Sequence, residues 1–150
     1  MEETFELQSF KYDALGAEVK YRVTQEQDEA VTDTDYRVRI ARGIHAQLQE
    51  VFDELRSIVA DIFRTGKGEL HCNNITPTGI AFSGKEDRKG IIITGTFGTA
   101  LGDVKFKTPR IKYLAGDNAI CAALTVFEEK VVAEVRNYLN GAGQDMEDLF

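Results

Sequence analysis

The chain has 150 residues, 43% of them hydrophobic and 29% charged, with only two prolines and two cysteines. That length and composition predict one soluble domain that buries a core without disulfides, and they exclude a cysteine framework. The formal net charge of −7 argues at first against a phosphate-binding surface, and the absence of any long apolar run or basic leader predicts a cytoplasmic protein with no membrane partner.

Taken in chain order, Phe5–Tyr12 reads as a first strand. Val19-Lys20-Tyr21-Arg22-Val23 and Tyr36-Arg37-Val38-Arg39-Ile40 follow, each alternating apolar and basic residues as a half-buried antiparallel strand does. Between them, Glu26–Asp35 reads as an acidic loop. Residues 44–63 carry Ile44, Leu48, Val51, Phe52, Leu55 and Ile58 at helical steps, which predicts one amphipathic helix stopped by Thr65-Gly66. Gly66-Lys67-Gly68 is the natural hinge. Glu69–Asn74 is a candidate further strand, and Thr78–Ser83 and Gly90–Phe97 are extended runs around a polar turn at Gly84–Lys89. Val104-Lys105-Phe106-Lys107 alternates again. A last helix spans Asn118 to Leu139 on the stripe Leu124, Phe127, Val131, Val135 and Tyr138, ended by Asn140-Gly141.

The order is strand-strand-strand-helix, twice. Phe10–Val23 lays over Phe82–Gly95 without a gap, Tyr36–Arg42 over Val104–Arg110, and Val51–Glu54 over Val126–Glu129. The prediction is an α+β domain over residues 1–143, an antiparallel sheet with both helices on one face, built either from repeats 1–66 and 67–143 or as a single unit in which the echo is accidental, followed by a flexible acidic tail at 144–150.

Several chemistries find little support. Gly79-Ile-Ala-Phe-Ser-Gly84-Lys85 fits the start of a phosphate-binding loop, but Glu86 follows where Ser or Thr would hold magnesium, and the chain continues into a β-run instead of a helix. His45 and His71 have no Asp or Cys at catalytic spacing, Cys72 has only distant Lys67 near it, and Cys121 falls among core positions as an inert thiol does. Two histidines and two separated cysteines make no metal site, so no metal, cofactor or catalytic residue is predicted, and the chain reads as a non-enzyme.

The distribution of charge along the chain offsets its acidic total. Residues 64–112 hold nine basic and four acidic residues, net +5, leaving −12 for the remainder. In the alternating strands the parity opposite the apolar one carries Lys20, Arg22, Arg37, Arg39, Lys105 and Lys107, with Thr94 and Thr96 on another strand and Arg110 close by. All charges on that parity within the strand cores are positive, and the acids are expected elsewhere. Such an open face suits single-stranded DNA or RNA, with cations on the backbone and Tyr12, Phe82 and Phe97 as candidate base stackers.

The chain ends Gln144-Asp145-Met146-Glu147-Asp148-Leu149-Phe150. This resembles the C-terminal tip of bacterial and phage single-stranded-DNA-binding proteins, without their penultimate proline. The resemblance implies that Leu149 and Phe150 anchor a replication or repair protein, that Asp145, Glu147 and Asp148 steer it, and that the tip competes with DNA for the basic surface. Asp148-Leu149-Phe150 also resembles sliding-clamp-binding peptides, which implies the alternative of an adaptor or inhibitor engaging a clamp or polymerase without nucleic acid. The doubled strand-and-helix order resembles whirly and Pur-type nucleic-acid-binding folds. A homo-oligomer with strands buried between subunits is a further expectation.

Overall fold

The computed structural model describes residues 2–63, 74–85, 88–113 and 118–141, with 118–120 described in backbone only. Three strands, β1 (Glu2–Tyr12), β2 (Ala17–Gln27) and β3 (Ala30–Ile40), precede two short helices, α1 (Ala46–Asp53) and α2 (Leu55–Ile62). Then come β4 (Ile75–Ser83), β5 (Gly90–Thr99), β6 (Gly102–Lys107), the two-residue β7 (Ile111–Lys112) and the long helix α3 (Asn118–Leu139). The hinge at 66–68, His71, Cys72, most of the candidate strand 69–74 and the tail 144–150 lie outside the described residues.

The sheet runs β3-β2-β1-β4-β5-β6, with β7 also paired to β5, and every pairing is antiparallel. Each half is a meander of consecutive hairpins, and the two meanders meet through β1 and β4 at the centre. The fold is therefore α+β, an antiparallel sheet with the helices gathered on one face, as the alternation of strand and helix periods predicts. Phe10, Val19, Ile80 and Ile93 point from the sheet into the core; Leu48, Phe52, Leu55 and Val59 meet them from α1 and α2, and Leu124, Phe127, Val131, Val135 and Tyr138 from α3. The α3 residues recur at three- and four-residue steps because only such steps keep side chains on one helix face.

Two corrections concern local structure. The predicted single helix over 44–63 is divided at Glu54, whose N–H is shared between Glu50 O at 3.3 Å and Val51 O at 3.2 Å. The chain tightens there without losing its path, and Glu54 accepts from Lys130 Nζ on α3 at 2.8 Å. The predicted acidic loop at 26–35 is instead the distal half of the β2–β3 hairpin. Asp28 and Glu29 turn with φ of 51° and 67°, the left-handed pair that matches strand twist in a two-residue hairpin. The polar composition of Val31–Asp35 mimics a loop because an edge strand has less surface to bury.

Ties at the ends of the helices fix the layer. Tyr138 Oη donates to Arg42 O at 2.6 Å, and the Arg42 guanidinium lies 4.6 Å from the centre of that ring. His45 Nε2 sits 2.6 Å from Glu134 Oε2, joining the start of α1 to α3. Thr108, the buried polar residue after β6, accepts from Ile93 N at 2.9 Å and returns its own N–H to Ile93 O at 2.9 Å.

Candidate nucleic-acid interface

The strand register decides which residues share the face opposite the helices. One row crosses the whole sheet from edge to edge: Arg39, Glu18, Lys11, Gly79, Thr94, Lys107. Beside it runs Arg37, Lys20, Ser9, Ala81, Ile92, and on the other side Thr76, Thr96, Lys105. At about 4.8 Å per strand the full row spans about 24 Å. Its middle is a trough of about 270 Å³ floored by Ser9, Gly79, Ala81 and Thr94 and rimmed by Lys11, Lys20, Lys107 and the acidic Glu18. A Cβ at Gly79 would collide with Thr94 Oγ1, so glycine there keeps the floor low. A second hollow of about 500 Å³, toward Arg39 and the β1–β2 turn, continues the first and shares Lys11, Glu18 and Thr94.

Of the predicted basic residues, Lys20, Arg37, Arg39, Lys105 and Lys107 all stand on this face, as do Thr94 and Thr96. Lys11 joins them, which strand alternation alone does not predict. The reason is a bulge in β1 between Leu7 and Ser9, which shifts the parity so that Phe5 and Leu7 share a side with Phe10 and Tyr12. The apolar step of three from Leu7 to Phe10 is the one signal of it in the sequence.

The separation of charge by parity does not hold. Glu18, Asp33 and Asp35 occupy the same face as the arginines, because the alternation continues beyond the strand cores in which it is legible. Arg37 Nε and Nη2 donate to Glu18 at 3.2 and 3.3 Å, and Arg39 Nε lies 3.4 Å from Glu18 Oε2. The Arg37 hydrogen bonds hold the Glu18 carboxyl below the usual carboxylate range against the opposing effect of burial. Arg22 is drawn toward the acidic end of the face: its Nε donates to Asp35 Oδ1 at 2.7 Å, which lowers the Asp35 pKa and raises that of Arg22.

Arg110 is placed at the β4–β5 hairpin, away from the trough. It donates through Nε to Ser83 Oγ at 2.7 Å and through Nη2 to Ser83 O at 3.0 Å, and also to Arg88 O. These bonds staple the strand ends, and a Cβ on Gly90 would meet the guanidinium carbon at 2.7 Å.

The three candidate stackers are on the covered side. Tyr12 donates to Pro77 O at 3.1 Å and packs edge-on to Phe52, Phe97 stacks on Phe106, and Phe82 lies partly buried beneath Lys89. Their parity matches Phe10, Ile80 and Ile75 once the bulges in β1 and at Pro77/Gly79 are counted. Among the described residues no cluster of three or more His, Cys, Asp or Glu is placed to hold a metal, and no helix is long and apolar enough to cross a membrane. The partner-binding residues expected at 145–150 fall outside the described residues.

Comparison of the chain with family models, with curated proteins and with solved structures gives no significant match.

Proposed function

We propose that the chain binds single-stranded nucleic acid, DNA in replication or recombination, across the helix-free face of its sheet. The observation that carries this reading is the row from Arg39 through Lys11 to Lys107, with Lys20, Arg37 and Lys105 beside it, over a floor of small residues. Cations at both ends and in the middle of such a row meet successive phosphates of a strand laid across the sheet, and the shallow floor admits sugars and bases close to the protein backbone. Thr94 and Thr96 add hydroxyl donors next to the two lysines of β6.

The aromatic rings lie on the other side, so base stacking on this face falls to the arginine planes at 37 and 39. Recognition is therefore led by the phosphate backbone and tolerant of sequence. The segment 144–150 serves in this reading to recruit a replication or repair protein, with Leu149 and Phe150 as anchor. Fluorescence anisotropy of a labelled single-stranded oligonucleotide at about 50 mM salt tests the proposal under conditions where phosphate contacts are strong. A saturable rise is expected with mixed-sequence DNA, and a flat titration overturns it.

A further inference from the structure

We infer that β3 is the interface for a second copy of this chain, paired antiparallel to itself across a two-fold axis at Tyr36. The inference does not rest on nucleic-acid binding, although it engages Arg37 and Arg39 of the same face. β3 is the terminal strand of the sheet and is 11 residues long. Its register with β2 runs unbroken from Ala17↔Ile40 to Gln27↔Ala30, and the strand contains no proline. Bulges, prolines and short length are among the usual guards of an exposed edge, and this edge has none of them; charge, a further guard, is what it carries.

Its charges are arranged in two blocks, Asp33 and Asp35 followed by Arg37 and Arg39. All four stand on the open face. An antiparallel pair centred on Tyr36 sets Arg37 opposite Asp35 of the second copy and Arg39 opposite Asp33, and the dyad repeats both pairs. Sliding by two residues either way, the smallest step that keeps each side chain on its face, sets Arg37 opposite Arg37 or Asp35 opposite Asp35, and an in-register parallel pair opposes like charges throughout, so the pattern favours the register centred on Tyr36. The side chains are available: those of Asp35, Arg37 and Arg39 are 62%, 56% and 75% exposed even with their present partners.

The other face of the same strand points to the same centre. Phe5, Tyr21 and Tyr36 stack in a ladder across β1, β2 and β3, with ring centroids 4.9 Å apart at both steps. The inner end is capped by the Arg136 guanidinium, 5.0 Å from the Phe5 ring. The outer end is Tyr36, 43% exposed, with its ring at the sheet edge. Across the dyad Tyr36 meets Tyr36 of the second copy, and the ladder becomes six rings long. The joined sheet carries both troughs on one side.

Light scattering on the full chain at micromolar concentration should give twice the protomer mass of 16.7 kDa. Asp33→Arg/Asp35→Arg makes the edge wholly basic, and Arg37→Asp/Arg39→Asp makes it wholly acidic. Each variant alone should fall to the protomer mass, and an equimolar mixture should recover the doubled mass. Tyr36→Lys, which sets two ammonium groups face to face at the dyad with the charge blocks intact, should also dissociate the pair. Circular dichroism establishes that each variant is folded. The inference is overturned by a wild-type chain at the protomer mass or at three or more copies, by folded charge variants that stay paired alone or stay apart when mixed, or by folded Tyr36→Lys that remains paired.

Discussion

Glu18 sets how much of the basic face is available. It lies in the central row between Arg39 and Lys11, its side chain is only 13% exposed, and it engages both Arg37 and Arg39. A phosphate reaching these arginines must displace the carboxylate, so Glu18 orients them and competes for them at once. Glu18→Gln keeps the shape and removes the charge; oligonucleotide affinity should rise about two- to fivefold, the scale of one partly screened charge interaction. Acid should imitate the substitution only late. The folded carboxyl titrates below its ordinary value of 4.5, so between pH 7 and 5 the affinity gain of Glu18→Gln over wild type should persist, shrinking as pH falls through the depressed pKa. The stabilising ion pairs of Glu18 and Asp35 follow the same sign, present above the ordinary carboxylate range and lost below it. A variant that binds no tighter than wild type at pH 7 removes Glu18 from this role.

The elements are largely legible from hydrophobic period. The stripe of α3, the alternating cores of β2, β3 and β6, and the twofold succession of meander and helix all follow from spacing. Strand ends and facing are less legible. Beyond the helices, Val31–Asp35 buries little, so no apolar signal extends β3 to its true length, and its acids read as a loop. The bulge in β1 hides Lys11 in the same way, by breaking the period of two from which facing is inferred. The ion pairs of the face decide which of the two edge strands, β3 or β6, offers the cleaner test. Reversing Arg37 and Arg39 would set new acids beside Glu18 and break its ion pairs, so a loss of binding there mixes structure with recognition. Among the described residues Lys105 and Lys107 make no ion pair, and both side chains stand exposed on β6. Lys105→Glu/Lys107→Glu should therefore cost at least about tenfold in oligonucleotide affinity at low salt. The urea midpoint and the assembled mass should stay unchanged, since β6 lies at the opposite edge from β3. Unchanged affinity would leave the β6 end of the row without a role.

At the scale of the whole molecule, the net charge of −7 and the basic face act over different distances. The total charge repels a polyanion approaching from afar, an effect that lowers the association rate and fades within a Debye length of about 10 Å at 0.1 M salt. In the proposed binding mode, contact falls to the six cations at Lys11, Lys20, Arg37, Arg39, Lys105 and Lys107. For single strands, log affinity falls by about 0.7 per decade of salt for each phosphate neutralised. All six engaged would give a slope of about −4; with the two arginines still held by Glu18, the remaining four give about −3. The slope measured between about 50 and 300 mM salt should lie in that interval for the wild type. It should move toward the steeper limit in Glu18→Gln, because both arginines then exchange small counterions, instead of an internal carboxylate, for phosphate. A slope well beyond about −4 would require phosphate contacts outside this face, and a slope near zero would mean that the row from Arg39 to Lys107 meets no phosphate at all.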